Sequence, residues 1–148
     1  SGVHRGLATW FSFGSYAAQV VEVKLVDGKP KIVKVFCAVN CGRVINLSGA
    51  ENQIQGAIVD GIWHAMFPKI TFVHGAVAET NFHSYKFLRM KDTPLDIEVK
   101  FVDSDEAPTG LGEPALPPVA AALANAIYTA TGKRIRKMPF AEQLKSSQ

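Results

Sequence analysis

Residues 18–39, AQVVEVKLVDGKPKIVKVFCAV, have the pattern of two β-strands joined by a tight turn. Apolar residues up to Leu25 alternate with charged ones, which is the period of a half-buried strand. Asp27 and Gly28 form a favoured turn pair, and residues 31–39 are apolar on both faces towards their end. The stretch therefore predicts a hairpin whose second strand lies more centrally in a sheet.

Two later segments have the periodicity of helices. Ser48 with Glu51 matches a capping box and predicts a helix start, after which isoleucines recur at helical spacing until the chain reaches Pro68. A second helix is predicted to open at Pro117 and to close at Gly132, because proline is favoured in the first turn and glycine just after the last.

The remaining segments complete the predicted architecture. Residues 95–103 alternate and predict a third strand, whereas residues 69–94 predict a short hairpin around His74 and one further strand within a loop. The order strand, strand, helix, strand, helix predicts an α+β fold of two layers, with a mixed sheet and helices packed on one face. We expect a single domain over residues 1–148, with a loose tail over 141–148.

Composition excludes several classes of function. No stretch approaches the roughly 20 apolar residues of a membrane span, and the first residues lack the pattern of a signal peptide, so no membrane partner is predicted. The basic segment 133–137 lacks an aromatic platform and is interpreted as a solvated chain end, not a nucleic-acid surface. Cys37 and Cys41 have no second pair, and the four histidines lack ligand spacing, so no metal held by protein side chains alone is predicted.

One carboxylate occupies an unusual position in TGLGEPALPP, residues 109–118. Glu113 lies between Gly110 and Gly112, which permit backbone angles closed to other residues, and a run of prolines that stiffens the start of the second helix. Two interpretations stay open. The carboxylate is either a device of the helix terminus, where anions are favoured, or a group held for chemistry.

The first helix carries a polar face of small residues. Gln53, Gly56, Ala57 and Asp60 share this face, which suits a flat polar ligand but equally suits solvent. Gly56 and Gly61 each weaken the helix by about 1 kcal/mol relative to alanine. Their presence indicates that another backbone or a ligand passes close to the helix.

These segments together resemble a known family. GLGEPALPPVAAALANAIYTATGKRIRKMP (residues 110–139) resembles the carboxy-terminal signature of the large, molybdopterin-binding subunit of the xanthine oxidase family of molybdenum hydroxylases, in particular the isoquinoline 1-oxidoreductase beta subunit and related aldehyde dehydrogenases. Three more blocks resemble it in the same order, at residues 6–23, 39–65 and 81–94. The resemblance covers about residues 5–139.

The resemblance implies roles for individual residues. Glu113 matches the glutamate that stands beside the molybdenum and acts as the general base in this family. Gln53 matches the glutamine that touches the pterin, and the backbone of Gly110, Leu111 and Gly112 matches the segment that approaches the cofactor. The implied cofactor is a molybdenum–pterin in its cytosine dinucleotide form.

The chain departs from the family pattern in sequence and in length. Asn40 and the pair Asn46-Leu47 replace a common aspartate and a common Asn-Pro, which affects the loop before the cofactor helix. Family members are several times longer than 148 residues, so the resemblance implies an excised domain, a proteolytic remnant or a small subunit that pairs with the rest. Alone, this chain is expected to hold no stoichiometric molybdenum and to oxidise neither aldehydes nor N-heterocycles.

The implied function belongs to the assembled enzyme. It is an oxidoreductase that hydroxylates N-heterocycles or oxidises aldehydes with water-derived oxygen, in bacterial cytoplasm or periplasm. The expected partners are the remainder of the large subunit and an iron–sulfur subunit that receives the electrons. The alternative is a non-catalytic assembly or interaction domain that keeps the fold without the cofactor. Genes that encode the missing segments would distinguish the two.

Overall fold

A computed structural model describes residues 2–94 and 96–145. In chain order the elements are β1 (His4–Ser12), β2 (Ser15–Val26), β3 (Lys29–Asn40), α1 (Leu47–Met66), β4 (Phe72–Val73), β5 (Ala76–Val77), a 3₁₀ turn (Met90–Asp92), β6 (Ile97–Phe101), α2 (Pro117–Thr131) and α3 (Phe140–Lys145). The main sheet has the order β1-β2-β3-β6, with β3 and β6 parallel and the other pairs antiparallel. The predicted α+β class with a mixed sheet is confirmed.

The predicted hairpin is formed by β2 and β3. Asp27 and Gly28 both adopt left-handed backbone angles, with φ of 50° and 72°, as a two-residue hairpin turn requires. β3 lies between β2 and β6, so its central place is also confirmed. The expectation for Leu25 is wrong: it is exposed near the tip of the hairpin.

The core lies between one face of the sheet and the two long helices. Buried residues of β2 and β3 alternate mostly with half-buried ones, and the isoleucines of α1 are fully buried, as their spacing predicted. Burial of large aliphatic side chains of this kind contributes about 1.5–3 kcal/mol each. The central members of this core are Val21, Val23, Val35, Val39, Ile54, Ile58, Ile62, Val119, Leu123 and Ile127.

Helix α1 starts earlier than its sequence pattern predicts. Asn46, with extended φ and ψ of −129° and 101°, is the N-cap, and its side-chain oxygen accepts a hydrogen bond from the Gly49 amide at 3.0 Å. The predicted cap, Ser48, is therefore wrong, because the asparagine two residues earlier already satisfies the first turn. The predicted end is confirmed, since the helix stops at Met66, just before Pro68.

Helix α2 has the predicted bounds and lies unusually close to the sheet. It begins at Pro117, and Gly132 ends it in the left-handed conformation with φ of 72°. Its backbone contacts β1 at Gly6, where an added Cβ would lie 2.1 Å from the Ala126 nitrogen and 2.2 Å from the Ala122 oxygen. The alanine face of this helix therefore permits direct backbone contact with a strand.

The two glycines of α1 have different surroundings. An added Cβ at Gly61 would lie 2.9 Å from the Leu116 carbonyl oxygen and 2.7 Å from a methyl group of Val119. The predicted close backbone is thus confirmed at Gly61. At Gly56 no other atom lies within 4 Å of that position, so its surface is open.

The irregular segments were predicted only in part. The short hairpin around His74 is confirmed as β4 and β5. The further strand expected within 69–94 is absent from the described residues there, which instead carry the 3₁₀ turn. β6 lies within the predicted third strand, whose first residue is outside the described part, and β1 was not predicted at all.

The carboxy-terminal segment contains a short helix. α3 (Phe140–Lys145) occupies most of the segment predicted as a loose tail, and Phe140 is buried in the core. Residues 146–148 lie outside the described part of the chain. Across the described residues, no helix combines the length and the apolar content needed to cross a membrane.

Candidate functional site

The loop that leads to Glu113 packs against the segment before α1. The Thr109 amide donates a hydrogen bond to the Cys41 carbonyl oxygen at 2.9 Å. Gly42 has φ of 68°, and an added Cβ there would lie 2.2 Å from the Ala107 carbonyl oxygen. Only glycine meets both requirements, so this position fixes how closely the two segments approach.

A small cavity of about 190 Å³ lies where these two segments meet the first turns of α1. It is lined by residues of segments 41–50 and 108–111 together with Gln53, and we call it the Gln53 cavity. Gln53 is exposed on its helix, and Leu111 faces it from the loop. The fold therefore brings these two predicted site residues to one place, although they are distant in sequence.

The other predicted site residues follow along the same loop. Gly110 donates its amide hydrogen to the Phe13 carbonyl oxygen at 3.0 Å, and an added Cβ would lie 2.5 Å from the Phe13 Cβ. This glycine is thus required by the β1–β2 turn, whatever its contact with a ligand. Gly112 has open space around it, and Glu113 is exposed.

The surroundings of Glu113 disfavour the interpretation as a helix-terminus device. The N-cap of α2 is Leu116, so Glu113 lies outside the first turn, where helix-dipole effects are concentrated. Pro117 and Pro118 offer no amide hydrogen for a carboxylate to accept. The Leu116 amide is already bonded to the Glu113 carbonyl oxygen at 3.0 Å, not to its carboxylate.

The two cysteines are buried free thiols. Burial raises the pKa of Cys37 to about 11, an effect that the neighbouring Gln19 amide offsets only in part. Burial also raises the pKa of Cys41, which lines the Gln53 cavity. Burial disfavours the thiolate at both positions, so neither cysteine has the lowered pKa that is typical of a reactive thiol. Within residues 2–94 and 96–145, no three His, Cys, Asp or Glu side chains are grouped to hold a metal ion.

The polar face predicted on α1 does not act as one surface. Gly56 and Asp60, together with Gln55, line a groove of about 650 Å³ between α1 and residues 87–94 and 97. Ala57 is buried in the core, and Gln53 belongs to the other cavity. The four residues straddle the border of the apolar stripe, so packing against the sheet separates them.

Two polar residues that the sequence interpretation missed contact residues 109–116, which we call the Glu113 loop. Ser15 and Gln19 on β2 are both fully buried, and each donates a hydrogen bond to a backbone carbonyl of that loop. They lie on the same inward face of β2 as Ala17 and Val21. Polar residues at inward positions are the signal that could have identified them.

Comparison with known proteins gives a consistent set of similarities. Residues 4–94, which include Gln53 but not Glu113, match the family described as the molybdopterin cofactor-binding domain. Over 94% of its length the chain is 34% identical to the membrane-bound aldehyde dehydrogenase [pyrroloquinoline-quinone] of Gluconacetobacter polyoxogenes. Again over 94% of its length, it is 30% identical to the isoquinoline 1-oxidoreductase subunit beta of Brevundimonas diminuta.

Solved structures have the same fold. The aldehyde oxidoreductase of Desulfovibrio desulfuricans superposes with a TM-score of 0.71 and 26% identity over 84% of this chain and 14% of that one. Quinoline 2-oxidoreductase of Pseudomonas putida gives 0.76 over 90% of this chain and 18% of that one, at 23% identity. The chain likewise spans only 17% and 18% of the two curated relatives.

Proposed function

Because this chain belongs to the molybdopterin cofactor-binding domain family, we propose that it forms one wall of the molybdenum–pterin site of a larger oxidoreductase. The observation that carries the proposal is the Gln53 cavity, which joins the predicted pterin-contacting glutamine to the loop of the predicted base. On that loop, Glu113 is separated from Leu111 by Gly112 alone, and the space around Gly112 is open.

The residues present fit a flat, polar cofactor. Gln53 offers an exposed amide, which can both donate and accept hydrogen bonds. Gly112 leaves its backbone open to close approach, since no atom lies within 4 Å of its missing side chain. In our proposal Gln53 and the backbone of 110–112 hold the pterin. When bound, the cofactor supplies a redox metal that takes up electrons and activates water.

The carboxylate of Glu113 is the proposed general base. It is exposed, lies outside the first turn of α2 and is carried on a loop anchored to the sheet. A positioned carboxylate oxygen can accept a proton from the attacking oxygen nucleophile in the transition state, which contributes about 10²–10⁴-fold to a rate.

The proposed reaction class is carried over from the names of two relatives. One is named an aldehyde dehydrogenase and another an isoquinoline 1-oxidoreductase, so we propose oxidation of an aldehyde or hydroxylation of an N-heterocycle. The proposed partners are the rest of the large subunit and an iron–sulfur subunit, and the proposed cofactor is the cytosine dinucleotide form. Alone, the chain offers one wall of the site, so we propose that it retains neither cofactor nor activity.

The test of this function compares two glutamines of α1 in the full-length protein. We expect Gln53→Ala to lower the molybdenum content at limiting cofactor, since losing one hydrogen bond of about 1 kcal/mol weakens binding about fivefold. The rate per bound molybdenum should change less. Metal analysis and a dye-reduction assay give both quantities.

The matched control is Gln55→Ala, which changes the same residue type on the same helix but faces the groove. We expect this variant to retain molybdenum like the unmodified protein. Equal retention by the two variants would argue against a cofactor contact at Gln53. A quinone in place of molybdenum would contradict the proposed cofactor.

A further inference from the structure

Two buried side chains of β2 hold the Glu113 loop from both ends. The Ser15 hydroxyl donates a hydrogen bond to the Gly110 carbonyl oxygen at 2.5 Å, three residues before Glu113. The Gln19 amide nitrogen donates to the Ala115 carbonyl oxygen at 2.5 Å, two residues after it. Both side chains are fully buried.

The spacing of these two residues suits a rigid support. Ser15 and Gln19 are four positions apart on one strand, so they face the same side and lie about 13 Å apart along it. β2 is a central strand, hydrogen-bonded to β1 and β3 on its two edges. The loop is therefore held against a strand that is paired on both edges.

Further hydrogen bonds reinforce the one between Ser15 and Gly110. The Thr109 hydroxyl lies 2.7 Å from the Ser15 hydroxyl oxygen. The Gly110 amide donates to the Phe13 carbonyl oxygen at 3.0 Å. On the far side, the Leu116 amide closes a turn onto the Glu113 carbonyl oxygen at 3.0 Å. Backbone groups on both sides of the carboxylate thus have fixed partners.

Packing alone does not explain a glutamine at this position. Gln19 pairs across the sheet with Ala8 and Cys37, on the apolar face that contacts the helices. Its carbonyl oxygen has no hydrogen-bond partner among the described residues, which is costly in a buried site. The amide cannot turn to relieve this, because its oxygen would then face the Ala115 carbonyl oxygen. The hydrogen bond from the Gln19 amide nitrogen to the Ala115 carbonyl oxygen is therefore the interaction that accounts for a glutamine here.

We propose that Ser15 and Gln19 are positioning residues that fix the Glu113 carboxylate for proton transfer. This role rests on the proposed function of Glu113. The physical reason is that a small displacement of a catalytic group slows the reaction strongly, since a 1 Å misplacement lowers the rate about 10²-fold.

Amide exchange tests the structural half of the proposal without any cofactor. In the 148-residue chain, we expect Gln19→Met to accelerate exchange of the Leu116 amide about tenfold or more, and Ser15→Ala to do the same for Gly110. The matched control is Thr129→Val, which removes a hydroxyl hydrogen bond from α2 to the Arg5 carbonyl oxygen. We expect it to leave exchange in the loop within about twofold.

Kinetics of the full-length enzyme test the functional half. We expect Gln19→Met to lower kcat per bound molybdenum by about 10–100-fold while KM changes little and Thr129→Val stays normal. The pH profile should keep its shape, because Glu113 is still present. Ser15→Ala provides the second variant should Gln19→Met fail to fold.

The outcomes separate this role from the proposed function. Unchanged exchange, or faster exchange with a normal kcat, overturns the positioning role. If Glu113→Gln is inactive while Gln19→Met is fully active, only the positioning role is lost. If Glu113→Gln is fully active, the general-base role proposed for Glu113 fails, and the positioning role fails with it.

Discussion

The rate per bound molybdenum should fall about 10²–10⁴-fold when Glu113 is replaced by glutamine in the assembled enzyme. Glutamine keeps the size and shape of the side chain, but it replaces one acceptor oxygen by an NH2 donor and cannot accept a proton as a carboxylate does. Gln53 and the loop backbone are unchanged, so molybdenum content should be retained. Steady-state rates divided by metal content are the measurement.

Glu106→Gln is the matched control for this experiment. Glu106 is an exposed acid on the same connection between β6 and α2, and the same charge is removed. We expect it to leave the rate nearly normal. If Glu113 served only a helix end, its loss would cost about 0.3–1 kcal/mol of stability and spare the rate. A Glu113→Gln enzyme that keeps more than about a tenth of the normal rate would refute the general-base role.

Replacing Gly6 by alanine should destabilise the domain by about 3 kcal/mol or more, which is the upper end of the cost of overpacking. The added methyl group would lie 2.1 Å from the Ala126 nitrogen and 2.2 Å from the Ala122 oxygen. Both are backbone atoms of α2, so no side-chain rotation can relieve the contact. Either the helix must move away from β1 or the strand must bend. Chemical denaturation of the 148-residue chain measures the loss.

The matched control is Gly56→Ala, the same chemical change in a different environment. No atom lies within 4 Å of the added methyl group, and alanine is the better helix former by about 1 kcal/mol. We therefore expect the free energy of unfolding to rise slightly. Equal stability of the Gly6→Ala and unmodified chains would show that α2 does not pack against β1 as described.

The elements predicted correctly from the sequence are those that local interactions determine. The turn at Asp27 and Gly28, the isoleucine face of α1 and the Pro-to-Gly bounds of α2 all depend on residues within a few positions of one another. Periodicity and turn chemistry report such interactions directly. They also determine the α+β class, which the structure confirms.

The elements that were missed depend on partners distant in sequence. β1 exposes the apolar residues Leu7 and Phe11 and turns the small residues Gly6 and Ala8 towards α2. Its sequence therefore lacks the alternation of apolar and polar residues by which a half-buried strand is predicted. The α1 cap was misplaced because Ser48 and Glu51 satisfy a sequence pattern that Asn46 pre-empts in the structure. Tertiary contacts decide both cases.

The candidate site was predicted from family resemblance, not from residue patterns. Composition alone left Glu113 between two interpretations and grouped Gln53 with residues that the fold separates. The structure adds the cavity that joins Gln53 to Leu111 and the buried anchors of the loop. Such anchors are invisible to a periodicity argument, because a glutamine in a strand is ordinarily assigned to the solvent face.

Anomalous diffraction at the molybdenum absorption edge, from crystals of the full-length protein, shows directly whether Glu113 and Gln53 line the molybdenum–pterin site. We expect a molybdenum peak at the Glu113 loop and pterin density against Gln53. A carboxylate oxygen of Glu113 should lie within about 3 Å of a ligand of the metal, because a general base must be within hydrogen-bond reach of the proton that it accepts. A molybdenum peak separated from Glu113 by other protein residues would contradict this assignment.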